Sequence, residues 1–480
     1  MSLLAVGTFN TNELFTIRFD PEKESLELLN ISEAKGNHSW LSTATLPKPG
    51  KNGVAANAVP THLYATCWTQ PPSVAAYRIH RADAGSNASF ELLNTAETAA
   101  RSGYVYVGFP ERGRHPVLYT CGGPTGEVIG INADTGAFDL AGTKHDSIIA
   151  REAPSDGITG AGSAGRIQEI DFVTGECSLP GKTLSQSREI KRKAVLANSS
   201  KSDESTATTK LDASGGKNAM DFGGLRHGSH GIDLSPDGSV CYVPDIGRNC
   251  IWTMNVDPDS GALILGEKSM APRSNDGPRH TLSHPDGRYI YSLQEHSSMV
   301  DVFELIKDAK GTRLEWRQGV KIIPQSDDES LYWADEVRLS CSVPNLDGEY
   351  PRYMFASTRG LASSTQGWVA VFQLDKSGLV VSQDRDAKSE LGDALCLWQT
   401  PTSGGWANAI EPSPTLLCGN RGKVQYAALT DSEVGQVRML RLDVDDATRP
   451  NQHSVTEVAT LCLGNDAHGR LREAATAVWI

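Results

Sequence analysis

The sequence predicts an all-β protein, a seven-bladed propeller closed by its own C-terminal strand. Three observations carry that expectation. A strand–turn–strand unit recurs seven times, a further strand precedes six of the units, and the chain ends on a strand that has no unit after it.

Each unit is an apolar or aromatic run, a short polar turn, a second alternating run and an Asp/Gly-type turn. The units begin at Leu3, His62, Val117, Cys241, Tyr289, Tyr353 and Val424. Short strands at regular spacing, with almost no helical periodicity, mark an all-β repeat architecture. The preceding strands are SWLSTATLPKPG, GYVYVGFPERGR, HGIDLSPDG, PRHTLSHPDG, DEVRLSCSVPNLDG and ANAIEPSP. Several end in Pro-Asp-Gly or a relative, the chemistry of a tight connection. The unit at Leu3 lacks such a strand, and the chain closes on ATAVWI. Pairing the two completes the first blade and removes the open sheet edges, as propellers do. Residues 1–480 are thus expected to form a single propeller domain.

The spacing breaks once. Tyr119 and Tyr242 are 123 residues apart, against 49 between Tyr242 and Tyr291. The excess includes residues 182–218, rich in Ser, Thr and Lys and poor in aromatics, and expected to be a mobile insertion loop. Its basic cluster, Arg188, Lys191, Arg192 and Lys193, reads as a solvated linker. GRIQEIDFVTGE, from Gly165, reads as a displaced outer hairpin of the third blade.

Composition narrows the function. The chain carries 45 Lys and Arg against 58 Asp and Glu, a net charge of −13. That leaves no cationic excess to neutralise phosphates, so neither nucleic acid nor an anionic membrane is expected as a partner. A small anionic substrate held by a few arginines remains compatible, and so does a homo-oligomer. No stretch is apolar enough to span a bilayer. The first residues read as a strand, without the basic and apolar regions of a signal peptide. Nine scattered cysteines without CxxC pairs suit reduced thiols, and a cytoplasmic location is expected. The Asn-x-Ser sequons at Asn30, Asn37, Asn87 and Asn198 are then read as unused.

In a propeller blade the start of the first strand and the end of the second lie at the same mouth of the channel, because the two run antiparallel. First-strand starts offer His230, Arg279, Asp335, Glu336 and Asn408; second-strand ends offer Asp245, Glu295, Arg359 and Asp431. Two arginines suit planar capture of carboxylates. A histidine and a glutamate are candidate general acids and bases. Arg279 and Glu295 also suit an ion pair within one blade. Asp245, Asp335 and Asp431 read as structural. His227 and His230 stand three apart on a loop without acidic or cysteine co-ligands, so no metal site is expected.

Residues from Arg226 to Pro412 resemble the fungal 3-carboxy-cis,cis-muconate lactonizing enzymes, seven-bladed propellers related in fold to propeller-type 6-phosphogluconolactonases. The segments that carry the resemblance are HGIDLSPDG, GPRHTLSHPDGRYIYSLQE, LYWADEVRL, YMFASTRG, QGWVAVFQL and TPTSGGWANAIEPSP. The resemblance implies His230, Arg279, Glu295 and Arg359 as catalytic residues, with Arg279 and Arg359 on the substrate and no cofactor; its first-strand position makes Asn408 a further candidate substrate contact. The chain departs from the family at His280, where the family carries an aromatic residue, and in the insertion. The implied reaction joins a carboxylate oxygen of a muconate to a double bond of the same molecule and adds a proton to the neighbouring carbon. The enzyme must orient a flexible polyanion and stabilise enolate-like charge. His230 and Glu295 both remain candidates for the proton donor. The other readings are a lactone hydrolase of the 6-phosphogluconolactonase type, a related propeller cyclase of secondary metabolism, and a binding propeller without catalysis.

Overall fold

Alternating strands bury both faces only if each sheet is packed between two others, and that is how these sheets are arranged. A computed structural model describes residues 2–46, 59–82, 86–111, 115–139, 165–199, 228–309, 311–345, 348–383, 389–419, 422–443 and 453–480. Its described strands form seven antiparallel blades. From channel to rim, blade 4 orders Asp233–Leu234, Val240–Asp245, Cys250–Val256 and Leu263–Met270, and blade 5 orders Pro278–Ser283, Tyr289–Gln294, Met299–Asp308 and Gly311–Lys321. The other first strands are Leu41–Ala44, Tyr104–Gly108, Tyr332–Leu339 and Ile410–Pro412 in blades 2, 3, 6 and 7.

The predicted closure is present. Ala474–Trp479 is the first strand of blade 1 and pairs antiparallel with Ser2–Thr8, setting Leu4 opposite Trp479 and Val6 opposite Ala477. The displaced hairpin is also where it was expected: Arg166–Asp171 and Glu176–Cys177 form the outer edge of blade 3.

In three of the units the recurring aromatic locks one blade to the next. Tyr64, Tyr119 and Tyr291 are fully buried, and their hydroxyls donate to the carbonyls of Gly136, Gly261 and Gly378 in the following blade at 2.8, 2.8 and 2.6 Å. Those glycines hold φ of 78°, 74° and 94° in turns that begin at Asn132, Asp257 and Asp375, a region unfavourable to other residues. A Cβ on Gly378 would sit 2.9 Å from the Tyr291 hydroxyl.

One expectation is corrected. Within the stretch expected to be a loop, Leu184–Ser199 is a helix. Thr183 and Gln186 form a reciprocal capping box, each side chain accepting from the other's backbone N–H. The helix is tied to blade 3 by Leu184 N–H on Glu169 and by Arg188, which pairs with Asp171 at 3.0 Å and Glu176 at 2.7 Å. Lys191, Arg192 and Lys193 are exposed. Residues 200–218 of the expected insertion, and His227, lie outside the described residues. No described helix is long and apolar enough to cross a membrane.

Candidate active site

A cavity of about 380 Å³ opens at one mouth of the channel. Each blade contributes the start of its first strand: Glu473 and Ala475, Ser39 and Trp40, Arg101 and Gly103, His230, Arg279 and His280, Asp335 and Glu336, and Ala407 and Ala409. Second-strand ends add Phe9, Trp68, Glu295 and Arg359, and Trp406 completes the lining. The four expected catalytic residues are therefore brought together.

Backbone irregularities aim these side chains. The pairing of blade 5 slips between Pro278 and His280, and that of blade 6 between Ala334 and Glu336. A bulge breaks the alternation of side chains, so both Arg279 and His280, and both Asp335 and Glu336, reach the cavity. His230 is placed differently. Its neighbour Ser229 bridges Gly123 of blade 3 and Asp245 of blade 4, and the His230 N–H donates to the Pro244 carbonyl at 3.1 Å. Gly228 is required there, since a Cβ would lie 2.1 Å from the Gly123 oxygen.

The charged groups form one buried network. Arg279 donates from Nη1 to Glu295 at 2.5 Å, from Nη2 to Asp335 at 3.1 Å and from Nε to the Asp335 carbonyl at 3.1 Å. The expected ion pair is present, and every nitrogen of Arg279 already has an acceptor. Burial opposes the Arg279 charge, but Glu295 and Asp335 outweigh it and raise its pKa. Burial likewise favours neutral Glu295, yet the Arg279, Arg359 and His296 charges prevail and hold it below the usual carboxylate range. Arg359 lies over the Trp333 ring at 5.0 Å, donates to the Gly405 carbonyl at 3.1 Å and stands 4.0 Å from Asp335.

A second line of contacts runs behind His230. His230 Nδ1 is 3.2 Å from His280 Nε2, and His280 Nδ1 is 3.0 Å from Glu336 Oε1. Glu336 also accepts from Arg338 at 2.8 Å, and Arg338 reaches Glu411 at 2.8 Å. Burial, with the neighbouring Arg279, His280 and Arg359, holds the His230 pKa well below the ordinary histidine range. Burial lowers that of His280 as well, outweighing Glu336.

Asn408 is a correction. It stands at the expected first-strand start but is fully buried and absent from the lining. Its amide donates to the Thr358 carbonyl at 3.0 Å and its backbone N–H to Asp335 at 2.9 Å, so it braces the site from below. Asp245 and Asp431 are structural as expected: Asp245 holds Arg248 and Trp252, and Asp431 holds Thr402 and Arg438. Asp335 both braces the network and lines the cavity. Sequence reasoning missed Arg101, stacked on Trp68 at 4.9 Å, and the wall of Trp40, Trp68, Trp406 and Phe9. Among the described residues no carboxylate stands within ion-pair distance of Arg101.

Comparison with known proteins adds three findings. A family model described as lactonase, 7-bladed β-propeller, matches residues 194–391. The chain is 36% identical over 442 residues to muconate cycloisomerase 1 of Cutaneotrichosporon cutaneum, covering 92% of this chain and 91% of that protein. It is 29% identical over 221 residues to carboxy-cis,cis-muconate cyclase of Neurospora crassa, covering 45% and 53%. Among solved structures, the periplasmic gluconolactonase of Pseudomonas aeruginosa superposes with a TM-score of 0.59 at 16% identity, covering 100% of this chain and 99% of that one. That last likeness concerns the fold alone.

Proposed function

The chain belongs to the muconate cycloisomerase family of lactonase-type propellers, and from that premise we propose that it lactonises a muconate-type polycarboxylate, with His230 as the proton donor. The observation that carries the assignment is the pairing of Glu295 with Arg279. A carboxyl buried against two guanidinium groups is held ionised and has no proton to give.

Burial and the nearby arginines disfavour the charged form of His230. A polyanion entering the cavity offsets those arginines, and the imidazole can then take up a proton. Arg359 and Arg101 are the cations best able to hold substrate carboxylates, since Arg279 is already committed. The aromatic wall offers a flat surface to the planar diene. One substrate carboxylate oxygen then attacks the double bond, its lone pair forming the new C–O bond. The π electrons move toward the neighbouring carbon and its conjugated carboxylate, where Arg279 adds positive potential. The His230 proton goes to that carbon. The reaction is redox-neutral and consumes one proton.

A cytoplasmic site for this reaction is supported by the nine cysteines, all free thiols, as reducing compartments keep them. The test is turnover of 3-carboxy-cis,cis-muconate by wild type and by His230→Gln. Loss of a general acid should lower kcat by roughly a hundred- to ten-thousand-fold in a folded variant. A His230→Gln variant with wild-type kcat, beside an inactive Glu295→Gln, would reverse the assignment.

A further inference from the structure

We infer that Glu336 and His280 form a buried positioning arm that sets the tautomer of His230 and shares the positive charge it acquires, making Nε2 the atom that delivers the proton. The inference rests on the reading of His230 as donor but goes beyond it, since neither residue of the arm transfers a proton to substrate.

The hydrogen-bond arithmetic admits one assignment. An ionised carboxylate only accepts, so His280 Nδ1 carries the hydrogen shared with Glu336 across 3.0 Å. The Nε2 of a neutral His280 is then a lone pair. It must accept from His230 Nδ1 across 3.2 Å. His230 Nδ1 is thereby the protonated nitrogen, and Nε2 is left to the cavity that the ring lines. The states required are those the surroundings favour: burial keeps His280 neutral, while Arg338 and His280 outweigh burial and keep Glu336 ionised.

The arm is built as a rigid support. The His280 ring stands edge-on to Trp40 and Tyr104, with ring centroids 5.2 Å from each. Glu336 Oε1 is fixed by Arg338 Nη1 at 2.8 Å and the Val337 N–H at 3.0 Å as well as by His280. Gly231 makes room on the remaining side, since a Cβ would lie 3.1 Å from His280 Cδ2 and 2.8 Å from the Arg279 oxygen.

In the cycle, His230 protonated on both nitrogens donates through Nδ1 to His280, which donates onward to the Glu336 carboxylate. The Nε2–H proton passes to the substrate carbon, its bonding electrons stay on the ring, and His230 returns to the neutral tautomer. It is recharged from water at the cavity mouth when the next polyanion binds. The other charged groups facing His230 are Arg279 and Arg359, which disfavour its imidazolium, and Glu295 and Asp335, which favour it, with Arg101 and Glu473 also on the cavity wall.

The test has two arms. In the protein without substrate, labelled with 15N-histidine, the His230 signal is identified by its loss in His230→Gln. It should report a protonated Nδ1 and a bare Nε2, and the reverse tautomer would overturn the inference. In turnover of 3-carboxy-cis,cis-muconate, His280→Phe keeps a ring edge-on against the stacked pair of Trp40 and Tyr104 but removes both hydrogen bonds. It should lower kcat roughly ten- to a hundred-fold and leave KM nearly unchanged. Without the arm the imidazolium is less stable, so the decline of kcat with rising pH should move to lower pH. His280→Gln, whose amide oxygen can still accept from His230, should recover part of the loss. A rise in KM alone, or an unmoved pH limb, would refute the arm. If wild type ignores muconates altogether, the functional reading fails while the tautomer measurement still decides the arm.

Discussion

Arg359 offers the sharpest perturbation of substrate binding. Its side chain is 10% exposed, lies over Trp333 and spends one nitrogen on the Gly405 carbonyl, which fixes the plane of the guanidinium at the cavity wall. On the proposed reading, Arg359→Ala deletes a charge-assisted contact to a substrate carboxylate. That should cost roughly 2–4 kcal/mol of transition-state binding, about thirty- to a thousand-fold in kcat/KM. Arg359→Lys keeps the charge but loses the planar fork and the stacking on Trp333, so it should recover less than about tenfold. The fold should survive both changes, because the backbone pairing of Trp333 with Arg359 is untouched and Asp335 keeps Arg279 and Asn408 as partners. The assay is the initial rate of loss of the diene's ultraviolet absorbance across substrate concentrations, with circular dichroism to verify folding. Full activity in Arg359→Ala would remove carboxylate capture from the account. Full rescue by lysine would show that charge alone is needed.

Two further outcomes follow from the fold. Deleting residues 474–480 strips blade 1 of its first strand and removes Trp479, which is 9% exposed. The tryptophan alone should be worth about 3–5 kcal/mol, so thermal melting should show a large fall or no folded protein, and an unchanged melting temperature would contradict the closure. Glu127 is buried, accepts from the Ala99 N–H at 2.8 Å, and burial pushes its pKa from 4.5 to about 7. A raised carboxyl pKa means stability present below 4.5 is lost as pH climbs through about 7. Glu127→Gln keeps the acceptor but cannot ionise, so its urea midpoint should exceed wild type above that range and converge with it at low pH; parallel pH curves would refute the linkage.

The blades were legible because each repeats the same physical unit. The aromatic that reaches the glycine turn of the next blade recurs at Tyr64, Tyr119 and Tyr291, and the unpaired strands at the two ends of the register could only meet each other. The four expected site residues were legible for a related reason, since strand polarity alone puts them at one mouth. The bulges were not. Strict alternation would turn His280 away from a cavity that Arg279 enters, and nothing in PRHTLS announces the slipped pairing that brings both in. Asn408 failed in the opposite sense: its position is right, but its amide turns back to Thr358. Arg101 and Trp40 stand at the first-strand starts of blades 3 and 2, within reach of the same polarity rule. The helix after Thr183 carried a visible signal, the Thr-Leu-Ser-Gln capping box, inside a composition that suggested a loop.

The central claim is that this cavity closes a lactone rather than opening one. The most direct measurement sets two reactions side by side with the same purified protein. Muconates are followed by loss of diene absorbance and appearance of the lactone by NMR, and 6-phosphogluconolactone is followed by acid release. The account predicts turnover of 3-carboxy-cis,cis-muconate or cis,cis-muconate to a lactone, abolished in His230→Gln, with no enzymatic hydrolysis of the sugar lactone. Hydrolysis of the sugar lactone with both muconates left intact would contradict it.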